Sequence, residues 1–168
     1  SKKIMQLLKE IHSRLPDNYY GVAIRFRDWL EIDDCDSKDV KEPFERVLHY
    51  LSTKKKNNDN NSTEPANSTH HILIGDGNEA AIRCLRHHSQ GQYTVSTIRD
   101  IVNSDRGLEL MIGKIKSEKS TIYLLLDQIL IALAKEVAFG KVATTAVSTF
   151  HARIKLWREQ KNRILGEM

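Results

Sequence analysis

The chain has 168 residues, a net charge of +4 at pH 7 and two cysteines. That length holds one domain with a sizeable core, and the cysteine count excludes a disulfide framework and fits a reducing, intracellular setting, cytoplasmic or nuclear. The charge excess is local: six of the 26 Lys/Arg against two of the 22 Asp/Glu fall in residues 141–168, so residues 1–140 are balanced and the last segment is the one marked for a partner.

The sequence opens on Ser1 rather than Met and reads as part of a larger protein or complex. No secretory leader is visible, because residues 5–8 are a short apolar patch inside alternating polar sequence. Residues 2–15 predict an amphipathic helix, with Ile4, Leu7, Leu8, Ile11 and Leu15 at helical spacing. Residues 19–32 fit a strand through Val22, Ile24 and Phe26, and a helix through Val22, Phe26, Trp29 and Leu30; the longer helical pattern is preferred. A helix over 42–53 follows, with Phe44, Val47, Leu48 and Leu51 as its core face and Pro43 in its first turn. Residues 54–69, KKKNNDNNSTEPANST, hold one apolar residue, Ala66, and predict a disordered loop. The Asn-x-Ser/Thr triplets at Asn60, Asn61 and Asn67 are read as chance products of that composition.

Short strands are expected at 71–75 and 92–95. Between them, Gly75-Asp76-Gly77 turns the chain and Asn78 caps a helix to about His87. Ser96 or Thr97 caps a short helix carrying Ile98, Ile101 and Val102, and residues 108–116 form another. Residues 121–139, TIYLLLDQILIALAKEVAF, are apolar at nearly every angular position and predict a central buried helix between Ser120 and Gly140. Asp127, Gln128, Lys135 and Glu136 interrupt it, which excludes a membrane span; Asp127 is assigned to an exposed edge. In the last helix Ala143, Val147, Phe150, Ile154, Trp157, Lys161 and Ile164 form a seam that packs back on the central helix, while Arg153, Lys155, Arg158 and Arg163 form a basic stripe.

Three constellations invite chemistry. HILIGDGNEAAI places glycines between a strand and a helix, as phosphate-binding turns do, but only Gly-x-Gly is present and no strand–helix–strand series is evident. His70, His71, Cys84, His87 and His88 cluster in sequence, but the spacing is not a usual zinc pattern, so no metal site is assigned. Arg83 and His88 are separated by four residues, and this resembles the Arg-x4-His motif of HEPN ribonucleases. The resemblance implies a helical, often dimeric fold and metal-independent RNA cleavage, with His88 moving a proton at the ribose 2′-hydroxyl and Arg83 holding the phosphate.

The resulting expectation is a mainly α, single-domain helical bundle over residues 1–168 with a small two-stranded β element. Its function is read as non-catalytic binding or scaffolding. The basic face, Arg153, Lys155, Arg158, Lys161 and Arg163, meets nucleic acid first and an acidic protein surface second, because arginine forks suit phosphate. No catalytic residue, cofactor or metal is expected. The alternatives are the HEPN-like ribonuclease and an adaptor whose last helix docks in a groove through Phe150, Trp157 and Ile164.

Overall fold

The computed structural model describes residues 2–24, 34–59, 70–75, 79–140 and 145–168. Among these, helices and strands follow in the order α1 (Lys2–His12), β1 (Tyr20–Ala23), α2 (Lys38–Asp59), β2 (His70–Ile74), α3 (Glu79–Ser89), β3 (Tyr93–Ser96), α4 (Ile98–Asn103), α5 (Arg106–Gly113), α6 (Lys119–Ala132), β4 (Glu136–Phe139), α7 (Thr145–Glu159) and α8 (Lys161–Glu167). The strands form one sheet in the order β3-β2-β1-β4, and every neighbouring pair is parallel. The fold is therefore α/β, and the expected all-helical bundle is corrected.

The correction has a physical reason. Strands of a parallel sheet are covered on both faces and read as short apolar runs, which periodicity does not separate from buried helix. β1 is buried along its whole length, so the helix preferred over 19–32 is a strand at 20–23; residues 25–33 lie outside the described residues. The strands expected near 71–75 and 92–95 are β2 and β3, but they are two of four and pair in parallel. The loop expected over 54–69 is helical as far as Asp59, the end of α2, and the remainder lies outside the described residues.

The predicted central helix is two elements. α6 ends at Ala132, the chain turns at 133–135, and residues 136–139 become β4. Glu118, not Ser120, stands at the N-cap, and it makes no side-chain capping bond. The turn is held from outside: Arg158 of α7 donates to the carbonyls of Ala132 (2.8 Å), Ala134 (2.8 Å) and Lys135 (2.9 Å), and Lys161 donates to Ala134 O at 3.0 Å. The Ala132 carbonyl is one that a helix C-terminus leaves without an intrahelical partner, and those of Ala134 and Lys135 belong to the turn itself. The Lys135 amide donates to Tyr19 O at 3.0 Å, which aligns β4 beside β1.

Alternation along the strands sorts side chains to two cores. Tyr20, Val22, Ile24, Ile72, Ile74, Tyr93 and Val95 pack with Phe44, Val47 and Leu51 of α2 and Ile82, Cys84 and Leu85 of α3. Ala23, Leu73 and Val137 face the other way, into a core built from α1 and α4–α8. Gly21 also faces that way. A Cβ there would stand 2.8 Å from Ile131 O and 2.9 Å from Ile131 Cγ2, so the missing side chain is what lets α6 lie directly on β1.

The two cysteines form a disulfide, Cys35–Cys84, with Cα atoms 5.2 Å apart and a sequence separation of 49. The low cysteine count reads in sequence as excluding a disulfide framework, and the structure pairs both cysteines. In the chain-entropy description a loop of that size contributes about 4 kcal/mol. No helix among the described residues is long and apolar enough to cross a membrane.

Candidate functional site

The strand order places the topological switch of the sheet between β1 and β4: β2 and β3 add on one side of β1, and the chain then crosses to the other side for β4. In open parallel sheets, ligands bind beyond the carboxyl ends of the strands at such a switch. Here the floor of that region is closed by Ile24 against Gly140. A Cβ on Gly140 would fall 2.4 Å from Ile24 Cγ1, so only glycine permits this approach, and the Gly140 amide donates to Ala23 O at 2.8 Å. The sequence reading of Gly140 as a helix stop is corrected: it ends a strand.

Beside this floor lies a buried carboxylate. Asp127 of α6 is 2% exposed, against the expected exposed edge. Its Oδ2 lies 3.9 Å from where a Cβ on Gly75 would stand, and Gly75 immediately follows β2. Phe150 Cζ (3.5 Å) and Ile131 Cδ1 (3.7 Å) approach the same point. His151 of α7, 4% exposed, packs its ring against Phe139 at 5.3 Å and Phe150 at 6.3 Å. A carboxylate and an imidazole are thus sunk among apolar side chains at the ends of β2 and β4, where packing alone would favour Leu or Phe. α3 begins four residues after Gly75 and α7 five after Gly140, so each helix starts a few residues of chain beyond the end of β2 or β4.

The sequence pointed to neither Asp127 nor His151 as a site residue. Asp127 was visible as a charge inside an apolar run, but the helical wheel of an all-round apolar segment does not tell buried from exposed. His151 carried no signal, since its neighbours Phe139 and Phe150 are remote or uninformative in sequence.

The five basic residues named from sequence are divided by the structure. Arg158 and Lys161 turn inward onto the carbonyls at the end of α6, and burial together with the neighbouring Arg158 lowers the pKa of Lys161. Arg153, Lys155 and Arg163 are exposed. Lys155 Nζ stands 5.0 Å over the Phe139 ring, and Arg163 donates to Gln160 Oε1. Arg153 borders a hollow of 320 Å³ with Leu125, Gln128, Leu156 and Trp157. The expected groove anchors Phe150 and Ile164 lie on two helices, α7 and α8, and are each 4% exposed within the core.

A second hollow, 420 Å³, runs along β4 between Arg46, Tyr50 and Arg158. Arg46 is paired with Glu42 at 2.7 Å and Arg158 is committed to carbonyls, so neither cation is reserved for a ligand there.

Arg83 and His88, the pair behind the HEPN resemblance, both lie on α3. Five residues of helix set them about 140° apart around its axis. His88 Nε2 donates to Cys35 O at 2.7 Å, and its ring stacks near Phe44. The α/β fold is not the helical fold that the resemblance implies. Of the histidine–cysteine cluster read from sequence, Cys84 is consumed by the disulfide. His70 is stacked on Tyr20 with ring centroids 5.4 Å apart. Among the described residues, His87 and His88 lie close to a further metal-ligating side chain, Asp36. No family model matches this chain, and neither a curated protein nor a solved structure does.

Proposed function

We propose that this chain is a ligand-binding α/β domain that takes a phosphorylated, hydroxyl-bearing small molecule, such as a nucleotide or a sugar phosphate, at the carboxyl edge of its sheet. The observation that carries the reading is the position of Asp127, a carboxylate buried beside Gly75 where the strands end. A carboxylate there accepts hydrogen bonds from ligand hydroxyls in a setting of low polarity, where such bonds discriminate strongly. The N-termini of α3 and α7 supply the complementary preference for an anion.

The test is a thermal-shift and calorimetric panel of nucleoside mono- and diphosphates and sugar phosphates. At least one should bind saturably, and Asp127→Asn should lose that binding while its circular dichroism matches wild type. A panel with no binder, or equal affinity in Asp127→Asn, contradicts the proposal.

A second reading rests on a separate observation. Arg153, Lys155 and Arg163 stay exposed, and Leu156 beside them is 58% exposed, which gives a cationic surface with an apolar centre. We propose that this face meets an acidic partner, nucleic acid before protein. Replacing those three residues with Gln should lower the slope of log affinity against log salt for single-stranded RNA or DNA by roughly two to three. An unchanged slope removes nucleic acid as the partner.

The intracellular expectation rested on free thiols. The Cys35–Cys84 bridge supports an oxidising compartment instead, because such bonds persist where thiols are not kept reduced.

A further inference from the structure

The disulfide does more than close a loop. Cys84, His87 and His88 are three and four residues apart, so they share one side of α3. The bridge brings Cys35, and with it Asp36, onto that side. His87 Nε2 stands 3.3 Å from Asp36 Oδ1. Asp36, His87 and His88 each offer one ligand atom, and the three atoms all lie within 4.8 Å of one another. The carbonyl of Cys35, 2.7 Å from His88 Nε2, orients the second imidazole.

We propose that Asp36, His87 and His88 form a zinc site, assembled by the Cys35–Cys84 disulfide. Ligand atoms bound tetrahedrally at 2.0–2.1 Å from zinc are separated by roughly 3.3 Å. The Asp36–His87 pair already has that spacing, and these two exposed side chains can rotate towards His88, which Cys35 O holds in place. Two imidazoles and one carboxylate are a borderline-to-hard donor set that favours zinc over calcium or magnesium, which take oxygen ligands. Three protein ligands leave a fourth position to water, the arrangement of an open zinc site rather than a closed structural one. The residues are distinct from Asp127 and the carboxyl edge, so the two proposals fail or stand separately.

Zinc chloride titrated calorimetrically into the untagged, oxidised chain should bind at one ion per chain. Asp36→Asn, His87→Gln and His88→Gln should each weaken it at least about tenfold. The side chains of Asp36 and His87 are 63% and 56% exposed, so those two variants keep the fold and read the site alone. Cobalt substituted for zinc should give visible absorption bands in wild type that vanish in His87→Gln. Absence of stoichiometric binding, or binding that survives all three substitutions, overturns the proposal.

Discussion

Arg158 and Arg153 lie five residues apart on one helix and do opposite things. Arg153 is an exposed cation at the rim of a hollow, whereas Arg158 spends its guanidinium on three main-chain carbonyls that would otherwise face a partly buried turn. Hydrogen bonds to a charged donor stabilise more than neutral ones, and a carbonyl left without a partner in a buried place is destabilising. Arg158→Ala is therefore expected to lower the unfolding free energy by about 3 kcal/mol, while Arg153→Gln stays within about 0.5 kcal/mol of wild type. Urea denaturation of the two variants side by side measures both. The sequence reading grouped the two arginines on one basic stripe, although five residues of helix set them about 140° apart around its axis. What separates them is a turn at 133–135 that the sequence presents as uninterrupted helix. Asp127 shows the converse: its charge was legible, but its burial was not, because that depends on Gly75 and Phe150 arriving from elsewhere in the chain.

At the scale of elements, the helices with polar and apolar sides were legible, as were the short runs that became β2 and β3, while β1 and β4 were not. α1 shows Leu7, Leu8 and Ile11 buried at the predicted spacing, and Phe44, Val47 and Leu51 of α2 do the same. Thr97 caps α4 with the reciprocal bonds to Asp100 that its sequence allows. β1 and β4 are four residues each and covered on both sides, so neither shows the polar–apolar alternation that betrays a half-exposed strand. In β4, the run Glu136-Val137-Ala138-Phe139 follows the fourteen residues of α6 after a turn of three, and no glycine or proline marks the change of conformation. A local sign of a sheet was Gly21, inside the apolar run that follows the turn at Asp17 and Asn18. A strand glycine of that kind marks close backbone approach, here to Ile131 of α6.

At the scale of the whole molecule, histidine burial ties stability to pH. His71 lies on β2, and among the described residues its Nε2, shielded from solvent, has no hydrogen-bond partner. Burial lowers its pKa from the ordinary 6.5. Burial also lowers that of His12, reinforced by Lys161 and opposed by Asp17. The unfolded imidazoles take protons near pH 6.5, and the folded ones only at lower pH. Their contribution to stability is therefore complete above pH 6.5 and lost as pH falls towards the folded values. The urea midpoint should drop between pH 7.5 and pH 5, and His71→Gln should shallow that drop; a midpoint independent of pH would contradict it.

The proposal of a polar small molecule as the ligand is supported by the strand order, the switch between β1 and β4 and the buried carboxylate at its edge. The most direct measurement is calorimetric titration of nucleotides and sugar phosphates into wild type and Asp127→Asn under identical salt and pH. Saturable binding by wild type that disappears in a folded Asp127→Asn chain is the expected result. Binding of equal strength in both, or in neither, would contradict the assignment of the carboxyl edge as the site.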